Sequence, residues 1–166
     1  MIRAVVMGVS GSGKSSVGSG IATELALPFI EGDVLHPESN VQKMASGIPL
    51  TDKDRWPWLA RIGTELAKTE HGVVVSCSAL KRIYRDRLRQ AAGGPLAFIF
   101  LDGSPAVLRD HMSKRTGHFM PVSMLDSQLA TLESPIGELL VLRQDVAKPV
   151  AEIVATCVAW LTELGL

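Results

Sequence analysis

Short apolar runs alternate with longer amphipathic stretches along the chain. The runs that read as strands cover residues 3–7, 28–31, 72–76, 96–101 and 138–142. Between them, apolar residues recur at the three- or four-residue spacing of a helix with one buried face. Val17, Ile21 and Leu25 mark one such face, and Leu59, Ile62 and Leu66 mark another. Ile153, Val154, Cys157, Val158 and Leu161 mark the last, in a capping helix over 150–164. Apolar strands separated by helices predict an α/β fold of three layers, a parallel sheet covered by helices on both faces. With 166 residues and no internal repeat, low-complexity tract or long linker, the chain reads as a single domain over 1–166.

Punctuation residues refine the elements. Residues 37–46 read as a short helix started by Pro37 and closed by Gly47. Asp54 reads as the cap of the next helix, with Pro57 in its first turn, and Ser104-Pro105 as the start of another. Residues 80–90 form a basic helix in which Arg85, Arg87 and Arg89 are expected on a solvated face with Asp86. Residues 112–124 are polar and contain glycine, and are expected to form a lid.

Composition narrows the classes. Seventeen basic residues balance seventeen acidic ones, so no large field favours nucleic acid or a membrane surface. Cys77 and Cys157 are too far apart in sequence for a zinc or disulfide pattern, which points to a reducing, cytoplasmic setting. No apolar run has membrane-spanning or signal-peptide length, and the chain is expected to be soluble.

The chemistry begins with Gly8-Val9-Ser10-Gly11-Ser12-Gly13-Lys14-Ser15, a G-x-x-x-x-G-K-[ST] phosphate loop between a strand and a helix. Its glycines let the backbone curl and present N–H groups to phosphate oxygens, and the helix start at Ser15-Ser16 adds a dipole end. Lys14 can reach the β- and γ-phosphates of ATP, and the Ser15 hydroxyl can bind Mg²⁺. Strand 28–31 ends in Glu31-Gly32-Asp33, on the ligand side of a parallel sheet. Asp33 can take a proton from an attacking hydroxyl, orient it, help hold Mg²⁺, or simply close a turn. Its approach to the γ-phosphate assumes that its strand neighbours the first.

Other candidates are less constrained. His36 can bond a substrate hydroxyl or face solvent. Arg55 suits a carboxylate, or an ion pair with Asp52 or Asp54. Trp56 and Trp58 read as packing residues, and Cys77 as a buried thiol rather than a nucleophile. Lys81 and Arg82 start the basic helix and can reach an anion. Arg115 can clamp phosphate or stack on adenine as a lid closes. Asp102 reads as a turn residue, leaving Asp33 as the one clear acidic Mg²⁺ ligand.

Together these stretches resemble the gluconokinase family of small P-loop kinases. The resemblance rests on the phosphate loop and on Glu31-Gly32-Asp33-Val34-Leu35-His36-Pro37. It continues through Lys43 to Asp52, Asp54 to Leu59, Cys77 to Lys81, Tyr84-Arg85-Asp86, Arg115 to Met120, Ser127-Gln128 and Leu132 to Pro135. It implies ATP-dependent phosphorylation of D-gluconate at its C6 hydroxyl. It also implies a five-stranded fold like that of shikimate and nucleoside monophosphate kinases, a lid, and a homodimer. Asp33 becomes the expected base, and Lys14 and Arg115 its catalytic companions. His36, Arg55, Ser78, Lys81, Arg82 and His118 become expected substrate contacts. Two departures stand out: His111 replaces an arginine of many relatives, and Leu129 an aromatic. The rival readings are a kinase for shikimate or a nucleoside monophosphate, a nucleotide-binding regulator without catalysis, and an RNA-linked ATPase using the basic helix.

Overall fold

Ala4, Val5, Val6 and Met7 are wholly buried because their strand, β1 (Ile2–Met7), lies in the middle of the sheet. The computed structural model describes residues 1–114, 121 and 123–166. Around β1 run β2 (Phe29–Glu31), β3 (Gly72–Ser76), β4 (Ala97–Asp102) and β5 (Val141–Asp145), in the order β2-β3-β1-β4-β5. All four pairings are parallel. The three inner strands are buried and apolar over most of their length, with Arg3, Ser76 and Asp102 near their ends, as a sheet covered on both faces requires.

The α-helices of the described residues are α1 (Lys14–Glu24), α2 (Glu38–Ala45), α3 (Asp52–Lys68), α4 (Arg82–Ala92), α5 (Pro105–Ser113) and α6 (Ser123–Thr131) between the strands, and α7 (Val150–Glu163) after the last of them. The expected buried faces are present in α1, α3 and α7, with Val158 and Leu25 only half-buried at their edges. Cys77 and Cys157 are buried and unpaired; burial pushes each thiol up to about 12, which suits packing rather than nucleophilic chemistry.

Three sequence expectations need correction. The last strand begins three residues later than the apolar run. Leu139 is exposed in a turn and Leu140 takes a positive φ of 55°, so the strand uses Arg143, Gln144 and Asp145 instead. An edge strand tolerates that polarity, and Arg143 pairs with Asp102 of β4 at 2.8 Å. Helix α3 is capped by Thr51 rather than Asp54. The Thr51 hydroxyl accepts from the Asp54 N–H while the Asp54 carboxylate accepts from the Thr51 N–H. Pro57 therefore lies beyond the first turn, where it deprives only the solvent-exposed Lys53 carbonyl.

The solvated face assigned to α4 is the third. Arg85 is fully buried. It makes a bidentate bond to Glu138, with contacts of 2.6 and 3.0 Å, and donates to the carbonyls of Ala79, Leu80 and Glu133. Arg87 stacks on Trp56 at 3.9 Å. Arg89 joins Asp86 to Glu138. Residues 115–120 and 122 of the expected lid lie outside the described residues; its ends belong to α5 and α6.

Candidate active site

The phosphate loop leaves the carboxyl end of β1 with Gly8, Gly11 and Gly13 at φ values of 147°, 79° and 93°. Space as well as φ demands glycine at Gly11. A Cβ there would lie 2.6 Å from the Leu108 carbonyl oxygen. Gly13 caps α1 in the left-handed conformation, so the first turn opens at Lys14. Ser10 and Ser12 are buried in the loop beside Val9, and Lys14 Nζ donates to the Val9 carbonyl at 3.0 Å. Ser12 Oγ is enclosed without a hydrogen-bond partner among the described residues. Ser16 points out of α1 and lines the groove against α7 instead.

Strand β3 separates β2 from β1, so the strands carrying Asp33 and the phosphate loop are not neighbours. They still meet, because β3 ends in the small residues Ser76, Cys77 and Ser78. Ser15 Oγ and Ser76 Oγ both donate to the Glu31 carboxylate, bridging from α1 across β3 to β2. Ser76 Oγ also accepts from the Gly32 N–H at 3.1 Å. A Cβ on Gly32 would sit 1.9 Å from the Ser76 carbonyl oxygen, so only glycine allows this turn. Asp33 follows in the 3-10 turn Gly32–Leu35 and shares one cleft with Lys14. Glu31 is a second carboxylate beside the Ser15 hydroxyl. Asp33 is therefore not the one acidic candidate near the phosphate loop.

The cleft is narrow, with a cavity volume of about 30 Å³. Of the expected residues, Ser10, Lys14, Asp33, His36, Arg55 and Ser78 line it. Met44, Leu50 and Met124 form a small apolar cluster in its wall, and Trp58, Leu80, Ser127 and Gln128 complete it. His36 stacks on Trp58 with ring centroids 4.0 Å apart, and Trp58 Nε1 donates to the Gly32 carbonyl at 2.8 Å. Burial, with Arg55 and Arg61 nearby, pulls His36 down to about 4. The imidazole is neutral at physiological pH.

Arg55 is 8% exposed, and no carboxylate lies within ion-pair distance of it among the described residues. Neither Asp52 nor Asp54 pairs with it. Instead Arg55 Nη1 donates to Tyr84 Oη at 3.0 Å, and Tyr84 donates to Asp52 Oδ1. Lys81 is spent on that same Asp52 oxygen at 3.0 Å and does not line the cleft. Arg82 is not brought in: its side chain is exposed, 3.7 Å from Asp86, and its N–H donates to Glu133. The reason is geometric. Lys81 caps α4, so Arg82 starts the helix and projects from its outer side.

Gln128 was overlooked as a functional group. Its Oε1 accepts from the Ser10 N–H at 2.7 Å, fixing α6 to the phosphate loop. The signal was a polar residue on the same buried side of α6 as Met124 and Leu125. From α5, His111 Nδ1 donates to the Gly11 carbonyl at 2.9 Å. Arg115 and His118 lie outside the described residues.

This arrangement can hold a polyphosphate on the loop, with a carboxylate beside it and an uncompensated buried cation at the far end of the cleft. Known proteins resemble the chain over most of its length. A family model described as an AAA domain matches residues 4–135. The chain is 54% identical to a gluconokinase of Gluconobacter oxydans over 79% of its length and 75% of the relative's. It is 45% identical to the thermosensitive gluconokinase of Escherichia coli, covering 92% of this chain and 83% of that one. The crystal structure of a gluconokinase from Sinorhizobium meliloti superposes with a TM-score of 0.91 at 61% identity, over 98% of this chain and 93% of the other. A five-stranded parallel sheet with the phosphate loop at β1, and relatives this similar over most of their length, place the chain in the gluconokinase family of P-loop kinases.

Proposed function

We propose that the protein transfers the γ-phosphoryl group of ATP to the C6 hydroxyl of D-gluconate, giving 6-phospho-D-gluconate and ADP. The observation that carries the acceptor is Arg55, a buried guanidinium without a carboxylate partner among the described residues, in one cleft with Lys14 and Asp33. A buried cation requires compensation, and the carboxylate of a sugar acid supplies it. His36 and Ser78 then face the hydroxyls along the chain of the acceptor. Lys81 acts from behind through Asp52 and Tyr84, and Arg82 has no part.

The backbone N–H groups of Gly11 to Ser15, with Lys14, hold the phosphates and stabilise charge on the transferred group. Asp33 receives the C6 hydroxyl proton as the new O–P bond forms and the bond to the leaving ADP oxygen breaks. Ser15, Glu31 and Asp33 present the hard oxygen donors that suit Mg²⁺, and Ser15 gives its proton to Glu31, leaving its oxygen lone pairs for a metal. Bound there, Mg²⁺ neutralises phosphate charge. Arg115 and His118 complete the nucleotide side in this reading. The protein works in the cytoplasm as a homodimer, the assembly being testable by sedimentation equilibrium.

The deciding assay is ATP consumption against gluconate, other aldonates, shikimate and nucleoside monophosphates, with the product identified by mass. Turnover confined to gluconate is expected. Asp33→Asn is expected to lower kcat by about 10²–10⁴, the usual range for a lost general base. Near-normal turnover of that variant at saturating gluconate rejects the base, and turnover of another acceptor rejects the substrate.

A further inference from the structure

Asn40 is 2% exposed on the inner face of α2. Its Nδ2 donates to the Asp54 carbonyl at 2.9 Å and lies 3.1 Å from His36 Nδ1. A carbonyl can only accept, so the amide nitrogen must occupy this corner, and its second hydrogen faces the imidazole. His36 Nδ1 is then the accepting nitrogen, and the ring proton sits on Nε2. Nε2 has no hydrogen-bond partner among the described residues, and it is not an enclosed orphan. It therefore opens on the cleft that His36 shares with Asp33 and Arg55. Stacking on Trp58, with ring planes 15° apart, fixes the direction of the ring.

We infer that Asn40 is a positioning residue that holds His36 as the neutral, Nε2-protonated tautomer, so that His36 donates a hydrogen bond to a hydroxyl oxygen of the sugar acid. The identity of that acceptor rests on the function proposed above; the tautomer does not. A proton on Nδ1 would set two donors against each other. The surrounding charges act in the same sense. Arg55 and Arg61 of α3 disfavour an imidazolium, Lys43 of α2 is engaged by Asp54, and Asp33 and Lys14 line the cleft beside the ring. An imidazolium would keep the Nε2 proton but set a second donor against the Asn40 amide, so this contact favours the neutral ring.

The test is heteronuclear NMR of the ring nitrogens of His36 in the intact native protein. An Nε2–H neutral ring at neutral pH is expected. An Nδ1–H ring overturns the inference even if gluconate is turned over. Conversely, the expected tautomer in a protein that ignores gluconate supports the role of Asn40 and rejects only the named acceptor. Asn40→Asp sets a carboxylate against Nδ1 and should move the proton there or make the ring an imidazolium. The gluconate KM should then change at least about fivefold at neutral pH while the ATP KM does not. An unchanged tautomer in Asn40→Asp counts against the inference. Should that variant not fold, His36→Leu against His36→Gln serves. Leu should raise the gluconate KM at least about tenfold, and Gln, which keeps a donor near Nε2, should recover most of the loss. Equal losses in both overturn the donor role.

Discussion

Tyr84 decides how Arg55 is presented. Burial and the neighbouring Asp52 push the phenol up to about 12, so it keeps its proton. That proton goes to Asp52, which leaves the phenol oxygen to accept from Arg55. Tyr84→Phe removes the hydrogen bond that the buried Arg55 guanidinium makes among the described residues. A hydrogen bond to a charged group contributes about 1.5–3 kcal/mol, so the gluconate KM should rise roughly tenfold or more. The ATP KM should stay near its native value; if it rose instead, Arg55 would belong to the nucleotide side. His36 yields a second prediction. Its folded value of about 4 lies below the unfolded value of 6.5, so folding favours the neutral ring. The corresponding stability is complete above pH 6.5 and is lost as pH falls through 4. The loss is about 3 kcal/mol over that window. Urea unfolding at intervals from neutral pH to about pH 4 should show a shallower decline in His36→Gln than in the native protein. Equal slopes would mean that His36 is ordinary in the folded state.

At the scale of elements, α4 anchors the loop that carries Ser78 through Arg85. Ala79 takes a positive φ of 46°, a conformation that costs a non-glycine residue roughly 1–2 kcal/mol. Arg85 holds it by donating to the Ala79 and Leu80 carbonyls, and Glu138 neutralises the guanidinium. Arg85→Ala leaves Glu138 with only Arg89 and should cost about 3–5 kcal/mol in chemical denaturation. The gluconate KM should rise in parallel, because Ser78 loses its support. A loss within about 1 kcal/mol would show the pair to be dispensable. Arg85 also marks the limit of one-dimensional reading. Charged residues on a helix normally face water, yet Arg85, Leu88 and Ala92 share the buried side of α4, and the partner Glu138 is 53 residues away. The shared placement of the phosphate loop, Asp33, His36 and Ser78 was legible because local motifs set them after strand ends, whereas Arg55 reaches the same cleft from α3. Glu31, Asn40, Tyr84 and Gln128 were not, because their partners come from other elements. Lys81 and Arg82 were misplaced for a related reason. A shift of two residues in a helix start rotates side chains to another face. The late start of β5 follows from a turn conformation at Leu140 that an apolar run conceals.

For the molecule as a whole, the balance of seventeen basic and seventeen acidic residues becomes a spatial one. The strongest sequence argument for RNA was the basic helix, and its cations are mostly engaged. Arg85 is buried on Glu138, Arg89 is shared by Asp86 and Glu138, Lys81 holds Asp52, and Arg87 lies on Trp56. Arg82 is left at the surface with Asp86 beside it. Binding of a nucleic acid backbone depends on releasing counterions with several unspent lysines or arginines, and its affinity falls steeply with salt. With these side chains neutralised in pairs, α4 has little charge to offer. Fluorescence anisotropy with a labelled single-stranded RNA at low salt should therefore show no binding tighter than about 10⁻⁴ M, the weak end of non-specific association. The same preparation should bind ATP and turn over gluconate. Retention that is lost on raising the salt would show that the pairs on α4 open in solution and would return the RNA-linked reading to consideration. If the retained RNA also competed with ATP, the contact would lie at the phosphate loop rather than on α4.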